Sequence, residues 1–260
     1  MAKFKSRSAL AAFGLVLLGA AFAGNAETGA QTAAPATTEF DTDAGRMAVT
    51  PVQQMSVVVE APSGVLYTDP TGGAARYAAH PAPDIVLISH EHREHYDADT
   101  LDALMGPDTR IVVPPFVMDR LPEPLKARAV SLANGQRAVL GSIEIEAIAS
   151  HGLGGQAMLW HPPGRGNGYV VTLDGRRLYV AGSTEAVPEM LALQDIYLAF
   201  LPLYPPYALS PESAAQAVAA FEPDYAYIYQ YDSRRSRDGF VRLAGDGRSR
   251  TVVVAPEIGR

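Results

Sequence analysis

Short apolar runs, many rich in Val and Ile and bounded by Gly, Pro or Asp, set the pattern of this chain from residue 55 onward. Such runs read as strands, predicted over residues 55–60, 65–68, 84–89, 110–113, 129–132, 137–140, 142–149, 168–173, 177–181, 196–201, 224–229 and 251–254. Asp174-Gly175 between two of them is a hairpin signal. Helical spacing over residues 98–104, 115–121, 188–193 and 210–221 predicts four helices. Asp97 is the N-cap candidate of the first, and Ser210 followed by Pro211 opens the last. The residues between 150 and 167, with His151 and His161, read as a loop, and Arg234, Arg235 and Arg237 as a second, solvated loop. Strands first, then strands mixed with helices, then the same again, predict two β-rich layers flanked by helices. The fold class is α+β in one compact unit, with function carried on loops at strand ends.

The N-terminus modifies that picture. Lys3, Lys5 and Arg7 precede an apolar run from Ala9 to Ala23, and small-x-small sites end at Ala23 and Ala26. Residues 1–26 therefore read as a signal peptide, and the run is short for a membrane span. The expectation is an exported protein, periplasmic or secreted, with no membrane span after cleavage. Residues 27–47, poor in large apolar groups, read as a flexible lead-in, leaving 48–260 as the domain. Without Lys3, Lys5 and Arg7 the 21 basic residues become 18 against 28 acidic ones, a formal charge of −10. That acidity argues against nucleic acid as a partner and leaves a small molecule as the expected substrate. With no cysteine in the chain, disulfides, thiol catalysis and thiolate metal ligands are excluded.

Candidate chemistry concentrates in His90-Glu91-His92-Arg93-Glu94-His95, which holds three of the six histidines and follows an apolar strand. Histidines at i and i+2, with an acid and another histidine within three residues, are the clustering that metal sites use. Imidazole, carboxylate and water are the only ligands this composition allows. Ser183 lacks the glycine two residues on that a nucleophile elbow requires, since Glu185 stands there. Tyr204, Pro205, Pro206 and Tyr207 suit an aromatic wall beside a pocket, which makes Tyr207 a candidate substrate contact.

The H-x-H-x-acid-H core within residues 86–97 resembles the signature of the metallo-β-lactamase fold. Tyr67-Thr68-Asp69-Pro70, His161-Pro162-Pro163-Gly164-Arg165-Gly166-Asn167-Gly168-Tyr169 and Ala181-Gly182-Ser183-Thr184-Glu185 are similar to one branch, the L-ascorbate-6-phosphate lactonase-like metal-dependent hydrolases. So are the Pro206–Glu212 and Tyr227–Tyr231 segments. The resemblance implies a four-layer αββα sandwich with two mixed sheets flanked by helices. It also implies a first metal on His90, His92 and a third histidine, His161 by its motif context or alternatively His151.

The chain departs from the family pattern at the second metal. Glu94 stands where an aspartate is expected, Ser183 where a bridging aspartate is expected, and Gln230 in place of a late histidine. Gln54 replaces a histidine near the start of the domain. Glu94 is one methylene too long for ligand distances fixed to within about 0.2 Å. Ser183 removes the bridging charge, and Gln230 offers zinc only an amide. The expectation is at most one divalent metal, zinc with manganese or iron as alternatives, on His90, His92 and His161. Glu94 and His95 then handle protons, and the reaction class is hydrolysis of an ester, lactone or phosphoester. The rival expectation is a pseudoenzyme, a binding or scaffold protein whose site holds no metal.

Overall fold

The computed structural model describes residues 36–247 and 249–259. The predicted signal segment, residues 1–26, lies outside them. Two seven-stranded sheets form the frame. The first holds β1 (Thr38–Thr42), β2 (Gly45–Gln53), β3 (Ser56–Ala61), β4 (Gly64–Thr68), β5 (Ile85–Leu87), β6 (Arg110–Val113) and β7 (Ala129–Ser131), in chain order. The second holds β8 (Arg137–Leu140), β9 (Ile143–Ser150), β10 (Gly166–Leu173), β11 (Arg176–Val180), β12 (Leu198–Leu203), β13 (Tyr225–Tyr231) and β14 (Val252–Val254). In each sheet the first four strands run antiparallel and the last three join in parallel. Parallel neighbours need crossovers, and the helices supply them. These are α1 (Ala98–Leu104), α2 (Pro115–Met118) and α3 (Glu123–Lys126) on the first sheet. On the second, α4 (Gly155–Trp160) joins the antiparallel β9 and β10, and α5 (Pro188–Leu191), α6 (Pro211–Phe221) and α7 (Arg234–Ala244) are the crossovers.

Period-two alternation assigns the layers. Val57 and Val59 face the core shared with Ile145, Tyr169, Phe200 and Tyr227 of the other sheet. Val58 points the opposite way, against Leu101, Val117 and Leu125 of the helices. The outer face of the second sheet buries Ala199, Leu201 and Ile228 beneath Val218, Phe221 and Phe240. Strands covered on both faces read as nearly continuous apolar runs, and each fully buried Val, Ile or Phe contributes about 1.5–3 kcal/mol. The sandwich and its mixed sheets are those the sequence predicts.

Local signals hold in detail at several places. Asp97 caps α1, its Oδ1 accepting from Thr100 N at 3.1 Å. Ser210 and Ser213 form a reciprocal capping box on α6. Asp174 (φ 46°) and Gly175 (φ 73°) form the left-handed turn that joins β10 to β11.

Three expectations are corrected. The lead-in expected to reach residue 47 ends before Thr38, because β1 and β2 form an antiparallel hairpin with Phe40 and Met47 buried in the central core. The loop expected between His151 and His161 contains α4, and the arginine-rich loop opens α7, capped by Ser233.

Candidate metal centre

The site lies where strands of both sheets end. The Asp69 carboxylate, directly after β4 and 1% exposed, organises it. It accepts hydrogen bonds from Ser89 N at 2.7 Å and Ser89 Oγ at 2.6 Å, and its Oδ2 lies 2.7 Å from His95 Nδ1. Asp69 N in turn donates to Leu87 O at 2.9 Å. The loop after β5 is thus fastened before it presents His90 and His92. Beyond it, Tyr96 N and His95 N both donate to His92 O at 2.8 Å, closing the turn.

Three imidazoles converge above this post. His90 and His92 come from the first sheet, and His161, directly after α4, comes from the second. One ring nitrogen from each lies within 4.8 Å of the others. His90 Nε2 and His92 Nδ1 are 3.1 Å apart. Outer partners fix which nitrogens turn inward. His90 Nδ1 is 2.9 Å from Ser89 Oγ, and His161 Nδ1 donates to Tyr207 O at 3.0 Å. Both rings therefore keep their Nε2 lone pairs for the centre.

Burial reinforces this arrangement. It holds His90 well below the usual imidazole pKa, with His95, His161 and His92 adding repulsion. Burial also lowers His92, against the pull of Glu91 and Glu94. His161 is pushed down to about 4, first by burial and then by His92. All three rings are neutral at pH 7, the form that binds metals. Two nitrogens on a tetrahedral zinc, each about 2.0–2.1 Å from it, are separated by about 3.3 Å, so the 3.1 Å spacing of His90 and His92 fits such an ion.

His151 does not join this group. Its Nδ1 lies 2.8 Å from Gly152 O and its backbone N donates to Thr184 Oγ1. The remaining predicted residues occupy the opposite side. His95, 1% exposed, has Nε2 3.2 Å from Ser183 Oγ. Ser183 is set by Gly182, whose φ of +68° lies in the left-handed region that favours glycine. A Cβ there would come within 2.9 Å of Asn167 O. The Gln230 amide oxygen is buried with no hydrogen-bond partner among the described residues. Gln54 binds the Tyr231 backbone in both directions, at 2.8 and 3.2 Å. Glu94 is exposed and lines a cavity of about 320 Å³ with Gln53, Tyr204 and Gln230. Tyr207 gives the site its carbonyl, and its ring packs 5.8 Å from Trp160.

Sequence reasoning missed Trp160, half exposed with its ring 5.6 Å from His92, and the organising role of Asp69. A single Trp placed directly before His161 was the available signal for the first.

The Beta-lactamase superfamily domain matches residues 38–229, most of the chain. This chain is a metallo-β-lactamase-fold member of that superfamily. Proteins named metal-dependent hydrolases are similar to it over much of the chain. One from Enterococcus faecalis is 25% identical over 155 residues, covering 58% of this chain and 69% of its own. One from Thermococcus kodakarensis is 24% identical over 182 residues, 66% of this chain and 79% of its own. Among solved structures, a protein of Parabacteroides distasonis assigned as a metal-dependent hydrolase superposes with TM-score 0.75 and 29% identity. It covers 85% of this chain and 98% of its own. The metallo hydrolase Igni18 of Ignicoccus hospitalis shares the fold, with TM-score 0.66 at 18% identity, covering 82% of this chain and 96% of its own.

Proposed function

We propose that this superfamily member is an exported, lactonase-like hydrolase of ester, lactone or phosphoester bonds that works with one metal, zinc by preference. The observation carrying this reading is the convergence of three neutral imidazoles whose ring nitrogens lie within 4.8 Å of one another. His90, His92 and His161 would hold the ion. When bound, three-histidine zinc lowers the pKa of a coordinated water to about 7 and polarises the bond to be cleaved.

The chain's own groups supply the rest. Glu94, on the cavity wall, accepts the proton of the attacking water. His95, enclosed beneath the site, orients the Ser183 hydroxyl while Asp69 holds its ring. Tyr207 fixes the His161 ring through its carbonyl and offers its aromatic face to substrate. The changes at Ser183 and Gln230 support one ion over two, because neither side chain brings a negative charge or an imidazole.

Elemental analysis of protein purified after growth with zinc, manganese and iron should give about one equivalent of metal. Hydrolysis of a panel of esters, lactones and phosphoesters should be lost together with that metal in His92→Ala. Protein without metal and without turnover would overturn the reading in favour of a binding or scaffold protein. Export is checked by the N-terminus of periplasmic protein, expected after Ala23 or Ala26.

A further inference from the structure

Each inward-facing ring of the centre needs a partner on its outer nitrogen, and two have neutral ones: Ser89 Oγ behind His90 and the Tyr207 carbonyl behind His161. Behind His92 stands a charge. Glu91 Oε1 lies 3.7 Å from His92 Nε2, beyond hydrogen-bond length, and the Glu91 side chain is only 10% exposed. That carboxylate is ion-paired with Arg165 Nη2. Arg165 sits four residues after His161, and its guanidinium lies 4.3 Å over the Phe116 ring of α2. The two residues share with His90, Trp160 and His161 the lining of a void of about 10 Å³, room for one water at most.

We propose that Glu91 and Arg165 are positioning residues, a strap joining the loop that bears His90 and His92 to the loop that bears His161. Glu91, between His90 and His92 in sequence, anchors the first loop through its ion pair with Arg165. Arg165 neutralises the acid and, resting on Phe116, keeps the second sheet's histidine in register with the first sheet's pair. The effect on metal affinity rests on the metal reading above, whereas the strap does not.

The test uses the full chain, first free of metal. In urea unfolding, Glu91→Gln and Arg165→Gln should each raise the unfolding constant about 10-fold or more, and the double variant should raise it no further than the worse single one, because one strap is cut once. Zinc affinity should likewise fall about 10–100-fold in either single variant and no further in the double one, and Glu91→Asp, which keeps the charge, should recover part of the loss. Unchanged unfolding in both single variants, or additive losses in the double variant, would overturn the proposal. Wild type that takes no zinc would defeat the metal reading alone, and the unfolding cycle would still decide the strap.

Discussion

The two sides of the site are built from the same strand ends but carry different chemistry. On one side, His90, His92 and His161 bring three neutral imidazole nitrogens together, each ring backed by an oxygen behind it. On the other, Ser183 and Gln230 put a hydroxyl and an amide where an acid and an imidazole would bind a second ion, and Glu94 faces solvent. The scaffold beneath both is intact. Asp69 holds Ser89 and His95, and Gly182 keeps the left-handed turn that presents Ser183. The two sides thus differ in the atoms they present, while one buried framework of packing and hydrogen bonds supports both.

The largest expected effect separates His161 from His151. His161→Ala should weaken zinc binding by about 100-fold or more, whereas His151→Ala should change it less than about twofold, as read by competition with a chromophoric chelator. Equal effects would break the division between the two sides. Ser183→Asp combined with Gln230→His should then move metal content from about one equivalent towards two, since it returns a carboxylate and an imidazole to the poor side. A content unchanged at one would show that the framework there no longer aims at a metal.

Stability, not metal affinity, probes the post beneath both sides. Asp69→Asn removes a buried charge that accepts from Ser89 twice and pairs with His95, and should cost about 3 kcal/mol in urea unfolding.

The smallest expected effect is on pH dependence. His161 has a folded pKa of about 4 against 6.5 for the free side chain. Below 6.5 the unfolded chain takes up a proton that the folded chain refuses. The stability of metal-free protein should therefore fall as pH drops from 6.5 to about 4, with His161 accounting for about 2 kcal/mol between pH 7 and pH 5. His161→Asn should flatten that slope, and a slope that persists unchanged would assign it to other groups.

Much of the fold was legible because its strands and caps obey local rules. Helix α1 begins and ends where Asp97 and the 98–104 pattern predict, and β6 and β8 match residue for residue. What escaped had no local voice. Gly152, Gly154 and Gly155 disguise α4, which exposes Met158, Leu159 and Trp160 where a helix would normally hide some of them. Helix α7 opens on arginines, and its buried face of Phe240 and Ala244 comes late. In β1 and β2 only Phe40, Met47 and Val49 mark the inward face amid Thr, Asp and Gly. At the site, the motif identified His90 and His92, and the HPPG context identified His161. Asp69 stayed silent because its role depends on two partners, Ser89 and His95, 20 and 26 residues away in sequence.

The order of strands carries one last consequence. All of β1–β7 lie in one sheet and all of β8–β14 in the other, so among the described residues the chain passes between sheets in a single step, between Ser131 and Arg137. His90 and His92 lie before that step, and His161, Ser183 and Gln230 after it. A cut there would leave each fragment with a whole sheet and an incomplete set of imidazoles. Metal capture would become a read-out of the fragments finding each other, which makes this chain a natural split reporter.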